Sequence, residues 1–388
     1  MKIAIINTLY APNKVGGAEK SVQALAENFS AEGNDVVVIC LGKEDANFEL
    51  NGVKVFTVKI KNNYWPFDNA TRGALEKLVW HLKDSSNNKY NNFLHDLFLN
   101  FKPDVLLTNN ISGFSTKIWR IASKLNIKIV HSLRDYYLQC PKSTKFKNNL
   151  NCNTSCKDCE LLSISKKKDS SQVNYLIGIS NYILNDHINN GFFKGVQNRV
   201  IFNGFEIPNE VIINKKITNT FGYIGQVNKS KGVELMLESF SKIKNSSWKL
   251  LIAGNIEAEY SKELKKINSS VQIEYLGYID NSKFFKMIDV LIVPSLWNEP
   301  FGRVVLESLI SKTPVIASDK GGIPELLTNN KQFIFAPKRT NLTTLLEYII
   351  QNSNFLNEFI FDKTYLEKFT IKNTIQEYLD VFNEIIED

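Results

Sequence analysis

The sequence lacks long hydrophobic runs and contains little cysteine. No apolar segment reaches about 18 uncharged residues, the length at which a helix crosses a membrane. The apolar run at residues 3–9 is too short for the core of a signal peptide with its cleavage site. Five cysteines in 388 residues, four of them in one short stretch, argue against a disulfide framework. We therefore expect an intracellular protein of the reducing cytoplasm.

The sequence also lacks a concentrated charge of either sign. Its 47 Lys and Arg residues exceed the 40 Asp and Glu residues by 7, and the excess is spread along the chain. Nucleic-acid binding proteins usually carry such charge in a basic arm, tail or face. We therefore expect no nucleic-acid partner. A chain of this length with 43% apolar residues is long enough for two domains with cores of their own.

Short β-rich apolar runs alternate with helical patterns along the whole chain, a spacing typical of βαβ units. The expected strands form two series, at 2–9, 35–41, 53–59, 105–109, 128–132 and 175–180, and at 221–226, 249–254, 272–276, 290–295, 314–318 and 333–336. This pattern predicts an α/β protein with two parallel-sheet domains. Such domains bind ligands at the carboxyl ends of their strands, so the turns after strands are the first places to search for a site.

The expected domain boundary lies near residue 205, where turn residues follow an apolar run. These turn residues are Asn203, Gly204, Pro208 and Asn209. We predict an N-terminal domain at 1–205 and a C-terminal domain at 206–364. The segment at about 365–388 has helical apolar spacing and is expected to pack back on the first domain.

Two turns after expected strands contain glycine. Gly16 and Gly17 precede a helix in the first half, and the segment 225–232 of the second half reads GQVNKSKG. Glycines let backbone N–H groups approach an anion at a helix N-terminus, and a lysine there can hold a diphosphate by its charge. Alternatively, the glycine pair is a simple turn, and Lys229 and Lys231 are solvated loop charges.

The segment 294–307, PSLWNEPFGRVVLE, brings two carboxylates to one strand end. Glu299 closes the loop, Pro300 pre-sets the first helical turn, and Glu307 lies two turns into the helix. An acidic side chain can accept hydrogen bonds from sugar hydroxyls, and the helix N-terminus offers N–H groups to phosphate. The alternative is that Glu299 only compensates the helix dipole and Glu307 is a surface residue.

Taken together, these motifs resemble family 4 of the retaining glycosyltransferases, the glycosyl transferases group 1. The resemblance rests on EPFGRVVLE at 299–307, the GQVNKSKG loop before it and GGIPE at 321–325, and it extends over nearly the whole chain. It implies the GT-B architecture, in which two Rossmann-like domains face each other across a cleft. The first domain then binds the acceptor and the second holds most of the donor nucleotide.

The resemblance further implies a hexosyltransferase that retains the anomeric configuration. Its donor would be a UDP- or GDP-linked sugar and its acceptor a hydroxyl of a glycan or lipid-linked molecule, in bacterial surface polysaccharide or glycolipid synthesis. Two other functions remain open: a nucleotide-sugar epimerase or hydrolase on the same fold, and a non-catalytic scaffold that binds nucleotide sugars.

Roles for individual residues follow from the same resemblance. Lys231 would neutralise the donor diphosphate, Glu307 would bind the ribose, and Glu299 would contact the donor sugar. The other implied donor-binding residues are Gly16, Gly17, Gly225, Gln226, Phe301, Gly302 and Arg303. No metal or other cofactor is implied for catalysis, and the sequence contains no Asp-x-Asp motif. Lysine charge and a helix dipole would take the place of a cation.

Two positions depart from the family's usual pattern. Gln226 stands where an arginine is usual, so Arg303 or a lysine would have to supply the missing charge. Arg134 stands where a histidine is usual, directly before Asp135. We expect Arg134 to orient the donor sugar, with Asp135 as a further candidate. Strand alternation makes His131 a structural residue, although a shift of one residue would reverse this choice.

Four cysteines follow this segment with the spacing C-x11-C-x3-C-x2-C, at Cys140, Cys152, Cys156 and Cys159. Four thiolates can close a tetrahedral structural zinc site and fix a loop. Reduced thiols without a metal, or a disulfide, are the alternatives.

Basic residues gather in the first half, at Lys142, Lys145, Lys147 and Lys166 to Lys168. Because acceptors of the resembled family are often lipid-linked, these lysines suggest peripheral contact with the anionic inner face of the cell membrane. Trp65 and Phe67 are candidates for an interfacial wedge. Solvated loops and core packing are the respective alternatives.

Overall fold

The computed structural model describes residues 1–13, 16–68, 70–207, 218–243, 247–267 and 273–387. By its internal contacts the chain divides into two compact units. Unit 1 comprises Met1–Lys145, Asn153–Glu206 and Lys368–Asp388, and unit 2 comprises Phe146–Cys152 and Ile207–Glu367. Pro208 and Asn209, two of the turn residues that suggested the boundary, lie outside the described residues.

The strands of the described chain fall into two large, mainly parallel sheets and one hairpin. In chain order they are β1 (Lys2–Ile6), β2 (Asp35–Gly42), β3 (Ala46–Leu50), β4 (Val53–Lys59), β5 (Val105–Thr108), β6 (Lys128–Leu133), β7 (Phe146–Lys147), β8 (Leu150–Asn151), β9 (Tyr175–Gly178), β10 (Gln197–Val200), β11 (Thr220–Ile224), β12 (Lys249–Ala253), β13 (Ile273–Gly277), β14 (Val290–Val293), β15 (Val315–Ser318) and β16 (Ile334–Phe335).

Helices connect these strands. In chain order they are α1 (Gly17–Ala31), α2 (Ala74–Ser85), α3 (Asn91–Phe101), α4 (Lys117–Lys124), α5 (Lys157–Asp169), α6 (Asn181–Asn189), α7 (Val233–Phe240), α8 (Ala258–Ile267), α9 (Asn281–Phe285), α10 (Arg303–Ile310), α11 (Ile323–Leu326), α12 (Arg339–Gln351), α13 (Lys363–Glu367) and α14 (Ile371–Glu387). None of them, within the described residues, has the length and apolar character of a membrane-crossing helix.

The sheet of unit 1 has the strand order β10-β9-β6-β5-β1-β2-β4-β3. All neighbours pair in parallel except β3, which runs antiparallel to β4. Strand β1 lies inside the sheet, where Ile5 is opposite Val38 of β2 and Leu107 of β5. These side chains are fully buried, as both faces of a parallel sheet require. The parallel strands therefore end at one edge, where the residues after β1, β5 and β6 meet.

Helix α14 packs in unit 1, far in sequence from its neighbours. The rings of Tyr378 and Phe382 lie 6.0 and 5.6 Å from the ring of Phe29 on α1. The chain enters this helix beside the end of the first half, because Ile371 donates its N–H to the carbonyl of Phe205 at 3.0 Å. The apolar spacing of α14 is thus explained by a buried face.

The sheet of unit 2 has the order β13-β12-β11-β14-β15-β16 and is parallel throughout its described pairs. Strands β11 and β14 are direct neighbours, and Phe221 pairs with Val290. The loops that follow these two strands, residues 225–232 and 294–302, therefore leave the sheet side by side. The α/β fold class with two parallel-sheet units is confirmed.

Three features of the fold differ from the expected elements. Strands β3 and β10 were not predicted, because β3 alternates exposed and half-exposed residues and β10 reads QNRV, with no apolar run. Residues 146–152, which the predicted boundary placed in the first domain, belong to unit 2. Their hairpin, β7 and β8, is too short and polar to give a sequence signal.

Candidate active site

An ion pair joins the two strand-end loops of unit 2. The Nζ atom of Lys231 lies 2.6 Å from Oε1 of Glu299, which also accepts a hydrogen bond from the Ser295 hydroxyl at 2.7 Å. The same ammonium lies 4.8 Å from the ring centroid of Trp297, within the range of a cation–π contact. Both charged side chains are mostly buried. A cation and a carboxylate are therefore held together at the carboxyl edge of the sheet.

Glycines allow the close packing on which this arrangement depends. Gly232 has φ +71, and a Cβ atom there would lie 1.9 Å from the carbonyl oxygen of Pro294. Gly321 has φ +61, and its Cβ atom would lie 2.1 Å from the carbonyl oxygen of Glu299. A side chain at Gly232 would displace the backbone of Pro294, and one at Gly321 would displace the backbone of Glu299, so both positions require glycine.

The two lysines of the 225–232 loop have different surroundings. Lys229 lies near Glu234 at 3.7 Å and Glu263 at 3.2 Å, and these carboxylates raise its pKa. Lys231 instead faces Glu299. Lys229 therefore forms ion pairs at the surface, whereas Lys231 belongs to the strand-end site with Glu299.

Glu307 is held in place by two neighbours on α9 and α10. Its Oε1 atom accepts a hydrogen bond from Nε of Arg303 at 2.9 Å, and its Oε2 atom accepts one from Nδ2 of Asn281 at 2.6 Å. Sequence reasoning missed Asn281, because it lies on a separate short helix. The hydrogen bond between Arg303 and Glu307 is also an ion pair, so the carboxylate of Glu307 partly neutralises the charge of Arg303.

The remaining candidates of unit 2 differ in exposure. Gly225, with φ +153, and Gln226 are exposed, whereas Phe301 is buried. The hydroxyl of Tyr223 donates to the carbonyl of Gln226 at 2.6 Å and fixes the start of the loop. Burial and the nearby Glu299 hold the pKa of Tyr223 well above its usual value. Gly302 precedes α10 with φ +99, a left-handed conformation that favours glycine.

In unit 1, Arg134 is a buried side chain that connects three segments. Its Nε atom donates to Oδ1 of Asn109 at 2.7 Å, after β5, and its guanidinium also contacts Oδ1 of Asn203 and, at 3.5 Å, the hydroxyl of Tyr378 on α14. Neither Asn109 nor Tyr378 was predicted from the sequence as a partner of Arg134. Asn109 carried a signal, since it is a polar residue at a predicted strand end.

Asp135 follows Arg134 at the same edge of the unit 1 sheet. Its Oδ2 atom accepts a hydrogen bond from Nδ2 of Asn110 at 2.6 Å, and its Oδ1 atom accepts one from the backbone N–H of Tyr137 at 2.8 Å. Burial raises the pKa of Asp135 to about 6, although the hydrogen bond from Tyr137 and the charge of Lys166 oppose the rise. The carboxyl group therefore holds its proton to a higher pH than an ordinary aspartate does.

His131 lies in the interior of unit 1 rather than at the sheet edge. Its Nδ1 atom is 2.9 Å from the Thr108 hydroxyl, and its ring stacks on Phe193 and contacts Trp119 edge-on. Burial lowers its pKa to about 3, so the ring is neutral at physiological pH. These surroundings explain His131 as a core residue, and we leave it out of the site.

The glycine pair of unit 1 begins helix α1. Gly16 is the residue before the helix, and its N–H donates to Oε2 of Glu19 at 2.8 Å. This contact gives the amide of Gly16 a partner within its own helix turn. Gly16 and Gly17 are both exposed.

The structure does not support the predicted zinc site. Within the described residues, which include all five cysteines, no group of three or more His, Cys, Asp or Glu side chains is placed to hold a metal ion. The sulfur atoms of Cys156 and Cys159 are 3.3 Å apart, and the Cys159 side chain is hydrogen-bonded to Cys140, whose pKa falls to about 5. Cys152 belongs to unit 2. No disulfide is formed.

Two of the lysines expected at a membrane surface are engaged inside unit 1. Lys166 is buried, its Nζ atom donates to the carbonyl of Tyr137 at 2.9 Å, and burial lowers its pKa to about 8. Lys145 forms an ion pair with Asp186 at 2.8 Å. The exposed members of the set are Lys142, Lys147, Lys167 and Lys168.

Comparison with known protein families accounts for both halves of the chain. Residues 15–207 match the family described as Glycosyltransferase Family 4, and residues 206–361 match Glycosyl transferases group 1. The chain is a family 4 glycosyltransferase. The family predicted from the sequence motifs is therefore confirmed.

One relative and two solved structures resemble this glycosyltransferase over most of their length. A Klebsiella pneumoniae protein, named as an uncharacterized 42.6 kDa protein in the cps region, is 36% identical over 332 residues, which are 84% of this chain and 87% of the relative. Sucrose-phosphate synthase from Thermosynechococcus elongatus has the same fold, with a TM-score of 0.76, 16% identity and coverage of 100% and 99% of the two chains. Anabaena HepE, solved with UDP and glucose, superposes with a TM-score of 0.68 at 17% identity, over 99% of this chain and all of HepE. The fold is thus that of the GT-B glycosyltransferases.

Proposed function

We propose that this glycosyltransferase transfers a hexosyl group, with retention of configuration, from a UDP- or GDP-linked sugar to a hydroxyl of a glycan or lipid-linked acceptor. The observation that carries the proposal is the contact of Lys231 with Glu299 at the strand-end edge of unit 2. It places a cation suited to a leaving diphosphate beside a carboxylate suited to sugar hydroxyls. The HepE structure, solved with UDP and glucose, supports a nucleotide-sugar donor.

In this mechanism, unit 2 holds the donor. Lys231 neutralises the diphosphate, Glu299 accepts hydrogen bonds from the donor sugar, and Glu307 accepts them from the ribose. Gly225, Gln226 and the amides at Phe301 and Gly302 border the phosphates, and Arg303 adds positive charge. The acceptor hydroxyl attacks the anomeric carbon from the face that the diphosphate leaves. The bond from that carbon to the phosphate oxygen breaks, and the departing phosphate takes the hydroxyl proton.

Unit 1 carries the acceptor in this proposal. Arg134, fixed by Asn109 and Tyr378, supplies a permanent positive charge at the carboxyl edge of its sheet. Gly16 and Gly17 remain the proposed phosphate-binding glycines of unit 1, and Asp135 is a titratable group at the carboxyl edge of its sheet. We assign no metal to the reaction, because Lys231 and the N-terminus of α10 provide positive charge at the diphosphate.

We further propose a product in bacterial surface polysaccharide or glycolipid synthesis. The support is the Klebsiella pneumoniae relative, which is named for its place in the cps region.

We propose peripheral contact with an anionic membrane as a second part of the function, and the exposed apolar side chains of two helices support it. Helix α2 exposes Leu75, Leu78 and Leu82 and buries Trp80 on its opposite side. Helix α5 exposes Leu161 and Ile164, each more than 60% accessible. The two helices touch, since the Ser165 hydroxyl donates to the carbonyl of Ser85 at 2.7 Å.

Charge supports a lipid surface as the partner of these helices. By helical spacing, Lys157 and Lys168 share the outer face of α5 with Leu161 and Ile164, and both lysines are exposed. Trp65 packs on the ring of Phe67 at 5.2 Å, and only Phe67 is exposed. An apolar face flanked by lysines matches an anionic leaflet.

Sedimentation with vesicles tests the membrane contact. The chain should sediment with phosphatidylglycerol vesicles and less with neutral ones, and Leu161→Ser with Ile164→Ser should weaken this binding at least fivefold. Leu99→Ser, on the exposed side of α3, is the matched control. Equal binding by the double variant and the control would contradict the assignment of this face.

Product analysis separates transfer from the alternative functions. The protein is incubated with UDP- and GDP-sugars, first alone and then with bacterial lipid-linked saccharides. Acceptor-dependent release of nucleoside diphosphate with a new α-linked product from an α-linked donor supports retaining transfer. Conversion or hydrolysis of the donor without acceptor supports the epimerase or hydrolase, and nucleotide binding without any reaction supports the scaffold.

A further inference from the structure

The hairpin formed by residues 146–152 lies in unit 2, although the chain on both sides of it belongs to unit 1. Phe146 pairs with Asn151, and the two turn residues, Asn148 and Asn149, have φ of +53 and +60. Two positive φ values are typical of a type I′ turn. Because an isolated two-stranded hairpin is only marginally stable in water, contacts outside it must fix its position.

The side chain of Asn151 supplies two such contacts. Its Nδ2 atom donates to the carbonyl oxygen of Leu296 at 2.7 Å, and its Oδ1 atom accepts the N–H of Asn298 at 2.9 Å. These backbone groups flank Trp297, so one amide side chain binds the loop on both sides of that residue. The loop has no regular secondary structure, and its polar backbone groups need partners of this kind.

Ser230, in the loop after β11, is a second hydrogen-bond partner of residues 296–298. Its carbonyl oxygen accepts the N–H groups of Leu296 and Trp297 at 2.9 and 3.0 Å. Asn151 and Ser230 together therefore fix a loop whose next residues include Glu299. The indole of Trp297 in turn contacts Lys231. Through Asn151, the hairpin thus contacts the backbone next to Glu299, which forms the ion pair with Lys231.

We propose that Asn151 is a positioning residue for donor binding, acting through the backbone of residues 296–298. The inference rests on the proposed function, in which Lys231 and Glu299 hold the donor. Without the Asn151 amide, the backbone that carries Trp297 and Glu299 is less ordered in the free protein. Nucleotide binding must then order this loop, which costs conformational entropy. Binding should weaken by about tenfold, since two hydrogen bonds of modest strength are lost.

The test compares Asn151→Ala with Asn153→Ala by hydrogen exchange and by calorimetric titration with UDP and GDP. Asn153 is exposed and two residues away, so its variant controls for a change in the same segment. Asn151→Asp retains an acceptor for the Asn298 amide and loses the donor to Leu296. We expect faster exchange of the Asn298 amide in Asn151→Ala, slow exchange in Asn151→Asp, and unchanged exchange in the rest of the chain.

The nucleotide titration decides the functional part. About tenfold weaker binding by Asn151→Ala, with wild-type binding by Asn153→Ala, supports the positioning role. Wild-type affinity in Asn151→Ala overturns that role and leaves the proposed function intact, and so does wild-type exchange of the Asn298 amide. Failure of the wild-type chain to bind either nucleotide overturns both, because the inference depends on donor binding.

Discussion

At the scale of single residues, Glu307 has an environment that keeps its carboxylate oriented without neutralising it fully. Arg303 and Asn281 each hold one oxygen, which leaves remaining lone pairs for hydroxyl groups of a ligand. The sequence predicted the position of this carboxylate from its place after a strand. It could not predict Asn281, because the contact depends on how α9 packs beside α10.

Replacing Glu307 by Gln should weaken nucleotide binding by about tenfold, because hydrogen bonds to a charged acceptor are stronger than those to an amide. The measurement is calorimetric titration with the nucleotide that the wild type binds. Glu259→Gln, at an exposed position on α8, serves as the matched control. Equal affinities in the two variants would remove Glu307 from the ribose site.

Asp135 predicts a pH dependence of stability. Its pKa in the folded protein, about 6, lies above the ordinary value of about 3.9, so the folded state binds a proton more tightly than the unfolded state does. This contribution to stability is complete below pH 4 and is lost as the pH rises through 6. Asp135→Asn, which is neutral at every pH, should therefore gain stability relative to wild type between pH 4 and 7.

Urea unfolding at several pH values measures this effect. The difference in unfolding free energy between Asp135→Asn and wild type should move in favour of the variant as the pH rises to 7. A difference that stays constant with pH would contradict the raised pKa of Asp135. Asp158→Asn, exposed on α5, controls for the loss of a surface charge.

At the scale of elements, the strands with an apolar run were predictable, and the two polar edge strands of the unit 1 sheet, β3 and β10, were not. Strand β4 matches its predicted range, because its three buried positions are all valine, a β-branched residue that a strand inside a sheet favours. Strand β10 is mostly exposed and polar, so its pairing with β9 depends on the sheet already being present. Predicted ends were less reliable, since the run at 2–9 continues past β1 into turn residues.

Helix α14 should contribute a large share of the stability of unit 1. Phe382 is fully buried against Phe29, so Phe382→Ala should lower the free energy of unfolding by about 3–5 kcal/mol. Ile386→Ala, on the exposed side of the same helix, should cost well under 1 kcal/mol. Chemical denaturation of both variants measures this, and similar losses would show that α14 is only loosely docked.

At the scale of the whole molecule, the sequence predicted two α/β units because each series of strands has its own apolar pattern. It did not predict that seven residues of the first half belong to unit 2. Asn151 joins these residues to unit 2 through hydrogen bonds with residues nearly 150 positions away. The local pattern of apolar residues cannot predict such a contact. The family motifs likewise located Lys231 and Glu299, whereas their mutual distance required the fold.

The central claim is that Lys231, and not merely a basic loop, binds the donor diphosphate. The chain provides its own control, since Lys229 lies two residues away and pairs with Glu234 and Glu263 instead. Calorimetric titration of wild type, Lys231→Ala and Lys229→Ala with UDP and GDP is the most direct test. We predict about tenfold or weaker binding for Lys231→Ala, which loses a charge at the diphosphate, and wild-type binding for Lys229→Ala. Equal affinities for the two variants, or no binding by the wild type, would contradict the claim.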